Sequence, residues 1–442
     1  PFRGGTHLPD VTVIAPVFVH GQLIAFVANR AHHANIGASA PGSMPVSRTL
    51  EEEGVVIPPT HLLRNGVWEW PVLERLAGLA PGALQQQQDD GGSAGGAVEL
   101  SAAVGDFFAQ VSANRVGVLR LENLIAQYGV AVFSTLVDAL NDYAERLALA
   151  SLRTLPAGRY SFTDYLDDDG AGTQRIAITC AVIVTEQGVV VDFTGTAPQV
   201  AGNVNCPLSV AAAAVFYVLR CLMPEQTPAC AGTFRPIQFL APEGSLLNAR
   251  YPAAVAAGNV ETSTRVVDVL LGALAQAVPQ RIPAASHGSM NNLAMGALLA
   301  DGRRWDYYET IGGGMGASAL GDGISAVQTH MTNTLNTPVE SLEAHYPLRV
   351  KRYGVRRGSG GAGAHRGGDG IVREIEFLQP ATVTLLTERR VSCPWGLSGG
   401  ASGAAGINLL NGHSLPAKIT FSVQPQDVLT VATPGGGGWG AA

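Results

Sequence analysis

The stretch RGGTHLPDVTVIAPVFVHGQLIAFVANRAHHANIG runs from Arg3 to Gly37. Two runs rich in Val, Ile and Phe flank the short sequence HGQ, and this pattern predicts a β-hairpin. If Gly21 is the middle of the turn, residues face each other across the hairpin when their numbers add up to about 42. Asp10 then lies opposite His32, with side chains about 5 Å apart. His7 lies just beyond the end of the first strand.

The open end of this hairpin is therefore a candidate metal site formed by His7, Asp10 and His32. Two imidazoles and a carboxylate form an incomplete ligand set for Mn, Zn or Fe and leave positions for water or substrate. His33 points to the opposite face of its strand and is a weaker candidate. His20 lies at the other end of the hairpin, in the turn. The alternative is that these are ordinary surface or hydrogen-bonding histidines.

Composition excludes several classes of protein. The 442 residues have a net charge of −7 and contain no basic block, which argues against a nucleic-acid partner. The longest apolar run, VAAAAVFYVLRCLMP, is interrupted by Arg220 and is too short to span a membrane. Five cysteines without a C-x-x-C motif fit a reducing compartment, so we expect a cytoplasmic protein. The chain starts at Pro1 without a signal peptide, and we expect a segment upstream of it.

The order of the patterns predicts an α+β fold: a large mixed body with several β-hairpins and sheets, buried helices and a β-rich, glycine-rich C-terminal region. Residues 1–155 hold the hairpin and a helical region, 156–345 form a central α/β region, and 346–442 form the β-rich region. We expect the three regions to form one intertwined unit. The 54 glycines cluster in the chain, which indicates tight turns and close backbone approaches.

Helical spacing of apolar residues predicts helices over Arg64–Leu79, over Ser112–Leu152 and in LSVAAAAVFYVLRCLM. Between the first two lies QQQQDDGGSAGG, which is polar and glycine-rich, so residues 85–96 are predicted to form a flexible surface loop. RIAITCAVIV and VVVDFTGTA form a second hairpin signal. The strands TVTLLTERR and DVLTVAT follow in the C-terminal region.

The sequence GNVETSTRVVDVLLGALAQAVP predicts a further helix, with Thr262 or Ser263 as the N-cap and Pro279 as the stop. Asn259, Glu261 and Ser263 would then surround the positive end of the helix dipole. Such a position suits an anionic or phosphorylated intermediate, so these three residues are candidate cofactor-binding residues. The alternative is simple helix capping.

Two polar runs, SHGSMNN and THMTNTLNTPVE, have few reasons to be buried unless they line a cavity. They are equally compatible with an active-site lining and with ordinary turns. From this part of the chain we select Asp322, His330, Asn333 and Glu340 as candidate catalytic residues. Arg389 and Arg390 could lower the pKa of the neighbouring Cys393 thiol, but no histidine partner is evident and a structural role is favoured.

Motifs for other chemistries are missing from the sequence. It contains no G-x-x-x-x-G-K-[ST] loop, and GGGMGA lacks the lysine and is better explained as a tight turn than as a phosphate site. It also contains no G-x-S-x-G elbow, so a serine hydrolase has little support. ATP binding is therefore expected on a partner.

Nine ordered blocks give the chain a resemblance to a known family: RGGTHLPD, VANRAHHANIG, PGSMP, GNVETSTRVVDVLLGAL, GGGMGA, THMTNTLNTPVE, SGGAGAHRGGDGIVREIEF, CPWGLSGG and TPGGGGWG. Together they resemble the hydantoinase B subunit, which is related to the C-terminal half of ATP-dependent 5-oxoprolinase and to a subunit of acetone and acetophenone carboxylases. The resemblance extends over nearly the whole chain.

This resemblance implies an ATP-dependent cyclic amide hydrolase. A hydantoinase A-type partner, on a separate chain or fused, would bind ATP and Mg and phosphorylate the carbonyl of a substrate such as 5-oxoproline or a hydantoin. This chain would then complete ring opening in a hetero-oligomer, with a metal-bound water attacking near His7, Asp10 and His32. The alternatives are a subunit of an ATP-dependent ketone carboxylase and a non-catalytic structural partner.

The resemblance also implies the metal ligands, because the carboxylase ligands match His7, Asp10 and His32. Three departures accompany that match. The family's additional carboxylate ligand lies upstream of the first block, outside this sequence. Gly5 stands where the carboxylases have a further histidine, and Asn35 stands where the family usually has aspartate.

Overall fold

The computed structural model describes residues 1–33, 35–77, 84, 102–298 and 304–442. Six α-helices and seventeen strands are assigned in these ranges, and the predicted α+β fold class is confirmed. The predicted loop over 85–96 lies outside the described residues.

The helices are α1 (Trp70–Leu76), α2 (Ala102–Tyr128), α3 (Val130–Leu152), α4 (Leu208–Cys221), α5 (Ser263–Leu274) and α6 (Val339–His345). The strands of the first half are β1 (Asp10–Val19), β2 (Gln22–His32), β3 (Leu63–Arg64), β4 (Val67–Trp68), β5 (Gly158–Asp168), β6 (Gln174–Thr185), β7 (Gly188–Asp192) and β8 (Ile237–Leu240). Those of the second half are β9 (Asn292–Leu298), β10 (Arg304–Glu309), β11 (Leu348–Arg356), β12 (Gly370–Phe377), β13 (Ala381–Leu386), β14 (Ile407–Leu410), β15 (His413–Ser414), β16 (Lys418–Val423) and β17 (Val428–Ala432).

The first hairpin forms as predicted, and Asp10 is the cross-strand partner of His32. The turn consists of His20 and Gly21, whose φ angles of 50° and 78° are both positive, as a type I′ turn requires. The register shifts by one residue between Val17 and Phe18, which is a β-bulge. The pairing that we predicted with a three-residue turn is thus produced by a two-residue turn and a bulge.

Helix α2 covers one face of this hairpin. Asn29 Nδ2 donates to the carbonyl of Gln110 (2.7 Å) and to Asn114 Oδ1 (2.8 Å), and Gln110 Nε2 donates to the carbonyl of Val11 (2.9 Å). The helix approaches closely because residue 117 is glycine, whose missing Cβ would lie 2.7 Å from a methyl group of Val27. These contacts hold the ribbon rigidly against the helix.

The helical prediction over Arg64–Leu79 is correct only in part. The segment starts with the small β3–β4 hairpin, and the helix begins at Trp70 and ends at Leu76. Trp70 at the first helical position is followed by Pro71, which favours a helix start there. The prediction over Ser112–Leu152 is confirmed except for a break at Gly129, where α2 ends and α3 begins.

In the central region, α5 packs on α4 and against the antiparallel pair β5–β6. All twelve residues of α5 are buried, which explains its run of small and apolar side chains. Gly272 allows this close packing, since a Cβ there would lie 2.5 Å from the Phe162 ring. The predicted β6–β7 hairpin and the buried helix α4 are both confirmed.

The predicted start of α5 is wrong. A π-helical turn over Gly258–Thr262 leads directly into the helix, so Thr262 and Ser263 both have helical backbone angles and neither side chain caps the helix. The Oγ of Ser263 donates instead to the carbonyl of Asn259 (2.7 Å). Sequence alone misplaced this helix start because a π turn has no distinct pattern of its own.

Two further sheets form the second half of the chain. One has the strand order β10-β9-β13-β16 and the other β11-β12-β17-β14-β15. Their inner faces enclose an apolar core that includes Leu293, Ile375 and Val383. Because β9 and β10 precede residue 346 and pair with strands that follow it, the first sheet joins the predicted central and C-terminal regions. The three-region division itself remains a prediction.

The glycine clusters bring backbones together. Segments 312–316, 358–370 and 434–440 run against one another, with Gly368 N donating to the carbonyl of Met315 (2.8 Å) and Gly436 N donating to that of Gly368 (2.9 Å). A Cβ at Gly314 would lie 1.9 Å from the carbonyl oxygen of Gly368, so no larger residue fits there. The predicted close backbone approaches are confirmed, and GGGMGA lies within this packing.

Among the described residues, no single helix is long and apolar enough to cross a membrane. The helix pair α2–α3 reaches the required length and apolar content only when its two members are counted together, and the pair is bent by 106°.

Candidate active site

The open end of the β1–β2 hairpin brings together the three predicted metal ligands. His7 Nδ1 lies 3.1 Å from Asp10 Oδ2. The His7 and His32 rings have their centroids 5.2 Å apart. His7 is buried, because the loop before β1 folds back under the strand end, and Thr6 Oγ1 donates to Asp10 Oδ2.

The electrostatics of this group suit a cation. Burial would raise the pKa of Asp10, but the hydrogen bond and positive charge offered by His7, together with Thr6, outweigh it and lower the pKa to about 2. The surrounding protein and the neighbouring His7 lower the pKa of His32 to about 4, although part of that side chain still reaches solvent. At neutral pH the site therefore offers a carboxylate and a neutral imidazole, the forms that bind metals.

Both ring nitrogens of His7 are buried, and within the described part of the chain neither has a hydrogen-bond partner that meets normal geometry. A buried imidazole of this kind costs free energy unless something else binds it, so the donor set fits a divalent cation. As the side chains stand, no group of three or more His, Cys, Asp or Glu residues in the described ranges is arranged to hold a metal ion. The close pair is His7 and Asp10, and His32 lies beside it.

The neighbouring positions divide as the alternation of the strand predicts. His33 lies on the opposite face, is buried, and has its Nε2 2.9 Å from Gln110 Oε1 of helix α2. Asn35 accepts a hydrogen bond from Gly37 N (2.9 Å) and so closes its own turn. Gly5 accepts from Ser209 Oγ through its carbonyl, which anchors the loop that holds His7.

Sequence analysis missed one contact of this site. The Tyr308 ring, on β10, lies parallel to the His32 ring, with an interplanar angle of 2° and centroids 5.1 Å apart. Its hydroxyl donates to Asn292 Oδ1 (2.7 Å), and Asn292 Nδ2 donates to Glu261 Oε1 (2.7 Å). Asn292 belongs to the polar run SHGSMNN, which was recognised, but nothing in the sequence links Tyr308 to a residue so distant in the chain.

The three candidate cofactor-binding residues lie in the π turn and at the start of α5. Glu261 is fully buried and accepts from Met290 N (3.0 Å) as well as from Asn292. Burial and the nearby Glu388 raise its pKa to about 7. The helix is continuous through Ser263, so the free N-terminus assumed in the prediction is not present at that residue. Their role in binding a cofactor stays a prediction.

The four candidate catalytic residues do not form one cluster. Asp322 is exposed and accepts from Arg366 N (2.8 Å), while Asn333 and Glu340 are also exposed. His330 is partly buried, with Nδ1 3.4 Å from the Tyr217 hydroxyl. In the described part of the chain, no hydrogen bond or ion pair joins any two of the four. Their catalytic roles stay predictions.

A second histidine pair lies elsewhere in the core. His287 is buried, and burial together with the nearby His330 lowers its pKa to about 3. Arg389 donates to Asp164 Oδ2 and Asp268 Oδ2, each at 2.7 Å. Arg390 donates to Asn291 Oδ1 (2.9 Å) and to the carbonyl of Glu388 (2.7 Å). Both guanidinium groups thus join core segments, which supports their structural role over activation of the exposed Cys393.

Comparisons with known proteins agree with this architecture. The sequence profile of the hydantoinase B/oxoprolinase family matches residues 1–442. The chain is 39% identical to 5-oxoprolinase 1 of Arabidopsis thaliana, covering all of this chain and 35% of that protein. It is 32% identical to a putative D-/L-hydantoinase B component of Pseudomonas sp. strain NS671, covering 74% of that protein. The chain spans about a third of the length of the 5-oxoprolinases it matches.

Solved structures resemble it as well. The ATP-dependent caprolactamase from Pseudomonas jessenii matches with a TM-score of 0.85 and 26% identity over 99% of this chain and 75% of that chain. An acetone carboxylase in its nucleotide-free form matches with a TM-score of 0.81 and 17% identity over 98% of this chain and 63% of that chain, which shows a shared fold. On the evidence of the profile and these relatives, the chain belongs to the hydantoinase B/oxoprolinase family.

Proposed function

We propose that this chain completes the ATP-dependent hydrolysis of a cyclic amide, such as 5-oxoproline or a hydantoin, at the open end of the β1–β2 hairpin. The observation that carries the proposal is the His7–Asp10 pair at 3.1 Å with His32 beside it. Family membership and the relatives named 5-oxoprolinase, D-/L-hydantoinase and caprolactamase support the substrate class.

His7, Asp10 and His32 would hold a divalent metal, of the Mn, Zn or Fe type. When bound, such a metal polarises a carbonyl and lowers the pKa of water. The chain's own residues prepare the site. Asp10 stays ionised because of His7 and Thr6, His32 stays neutral, and the Gly5–Ser209 contact fixes the loop of His7.

Activation of the substrate is assigned to a hydantoinase A-type partner, as a separate subunit or a domain, that binds ATP and Mg. An unstrained lactam has a poor leaving group, and phosphorylation of its carbonyl oxygen would supply a better one. The lack of a nucleotide-binding loop in this sequence supports that division of labour. A hetero-oligomer in a reducing compartment such as the cytoplasm is part of the proposal, supported by five free cysteines.

The site is tested by metal binding. Purified protein is titrated with Mn²⁺ and Zn²⁺ against a competing chelator, together with the His7→Ala and His32→Ala variants. We expect stoichiometric binding that each variant weakens at least 10-fold, since even outer-shell changes cost about 10- to 100-fold. His20→Asn, at the opposite end of the same hairpin, is the matched control and should bind as the parent does.

The reaction is tested by combining the chain with an ATP-binding hydantoinase A-type protein and offering 5-oxoproline, a hydantoin, or a ketone with bicarbonate. We expect ATP hydrolysis only with a cyclic amide, and none by this chain alone. Turnover that requires a ketone and bicarbonate would point instead to a carboxylase. Full activity of the metal-free complex, retained in His7→Ala, would leave this chain a structural role.

A further inference from the structure

The face of the His32 ring is covered by a side chain from a distant part of the sequence. Tyr308 lies on β10, whose neighbour β9 pairs in turn with β13. Its ring is parallel to His32, with centroids 5.1 Å apart. The backbone of the PGSMP segment approaches Tyr308 from another side. Gly42 has a φ of 65°, and a Cβ there would lie 3.1 Å from the Cβ of Tyr308. Tyr308 is therefore held in a close-packed position.

The amide of Asn292 fixes the direction of the Tyr308 hydroxyl. Asn292 Nδ2 donates to Glu261 Oε1 (2.7 Å) and to the carbonyl of Leu386 (2.8 Å), so both of its hydrogens are used on acceptors. Its oxygen must then face the other way, where it accepts from the Tyr308 hydroxyl at 2.7 Å. Reversing the amide would place its oxygen against two acceptors, which this buried position disfavours.

We propose that Tyr308 is a positioning residue for His32, held in place by the Glu261–Asn292–Tyr308 hydrogen-bond chain. A stacked phenol ring restricts the tilt of the imidazole and so limits the directions in which its nitrogens can point. His32 is the last residue of β2 and remains partly exposed, so its ring lacks the enclosure that holds His7. The inference rests on the proposed metal site, because positioning matters most when His32 must meet a ligand.

Tyr307 offers a matched control on the same strand. Its hydroxyl also donates a buried hydrogen bond of 2.7 Å, to Glu309 Oε2, but its ring faces Tyr346 rather than a histidine. Tyr307→Phe and Tyr308→Phe therefore remove the same kind of bond one residue apart. Tyr308→Leu additionally removes the stacked ring. A loss seen only with the Tyr308 variants identifies positioning rather than general destabilisation.

Two measurements test the proposal: the ring-proton NMR signals of His32 in metal-free, histidine-labelled protein, assigned with His32→Ala, and the Zn²⁺ and Mn²⁺ affinities. We expect Tyr308→Leu to remove the ring-current shift of the His32 signals and to weaken metal binding about 10-fold, as for an outer-shell partner. Tyr308→Phe should have a smaller effect on affinity, and Tyr307→Phe none on either measurement.

Unchanged His32 signals in Tyr308→Leu would overturn the inference, as would equal losses of affinity in Tyr307→Phe and Tyr308→Phe. A parent protein that binds no metal overturns the proposed function instead, and the metal-free signals still decide whether Tyr308 orders His32.

Discussion

Two histidine pairs in this protein differ in what their nearest carboxylate does. At the end of the hairpin, Asp10 lies 3.1 Å from His7 and accepts otherwise from Thr6. In the core, His330 lies within electrostatic reach of Asp268, but Arg389 donates to that carboxylate at 2.7 Å. One carboxylate serves its histidine, whereas the other neutralises an arginine.

This difference explains why similar residues suggest different roles. Burial lowers the pKa of both His287 and His330, and their nearest negative charge is already balanced by an arginine. Such a pair is suited to remain neutral inside the protein. The hairpin pair has an ionised carboxylate with no arginine or lysine among its described partners, which is the arrangement that attracts a cation.

The largest effect should come from breaking the arginine's role in the core. Arg389→Met leaves Asp164 and Asp268 with incomplete compensation, and we expect it to cost about 3–5 kcal/mol in the free energy of unfolding. Urea denaturation measures the loss. Arg366→Met, which removes an exposed arginine paired with Asp369, should change stability by about 0.5 kcal/mol or less. Equal losses in the two variants would contradict the role given to Arg389.

A change of register should affect only the hairpin pair. Inserting an alanine between Ala31 and His32 moves the His32 side chain to the opposite face of the ribbon, and we expect metal affinity to fall at least about 10-fold. Deleting Ile24, the residue left unpaired by the bulge, should instead give a regular ribbon in which Asp10 still faces His32. Both variants alter the length by one residue, so their Zn²⁺ affinities can be compared directly. Equal affinity in the two would remove the hairpin from the site.

The core pair should dominate a pH effect. His287 has an ordinary pKa of about 6.5 when unfolded and a folded value of about 3, because of burial and the neighbouring His330 and Arg390. The stability that it contributes is therefore present above pH 6.5 and is lost as the pH falls toward 3. Between roughly pH 5.5 and 4, His287→Asn should reduce the slope of unfolding free energy against pH by about 1.4 kcal/mol per unit. An unchanged slope, measured by urea denaturation at several pH values, would show that His287 is not kept neutral.

The smallest effect concerns the far end of the hairpin. Asparagine followed by glycine suits a type I′ turn better than histidine does, so His20→Asn should raise stability by about 0.5 kcal/mol. Thermal unfolding measures the gain, and metal affinity should not change. A loss of affinity in this variant would mean that the two ends of the ribbon are coupled.

The fold class and the strand pairing could be predicted because both depend on local alternation. Apolar spacing located the main helices and hairpins, and the pairing of Asp10 with His32 followed from counting residues away from the turn. The count was correct although the assumed turn was not, because the bulge at Val17 and Phe18 contributes the residue that we had assigned to the turn.

What could not be predicted depends on contacts between distant segments. Tyr308 reaches His32 only because β9 and β10 pack beside the hairpin end, and no local pattern encodes that meeting. Asp322, Asn333 and Glu340 were selected because polar runs suggested a cavity, yet all three are exposed. The start of α5 was misplaced because the π turn at Gly258–Thr262 extends the helix in the N-terminal direction.

The bulge in the hairpin has a consequence for how this ribbon can change in length. An odd number of residues separates Asp10 from His32, whereas a two-residue turn with unbroken pairing always encloses an even number between partners. One unpaired residue reconciles the two. Residues added in matched pairs, one in each strand, would lengthen the ribbon and leave both ligands on the same face. The site therefore depends on the parity of the hairpin and tolerates variation in its length.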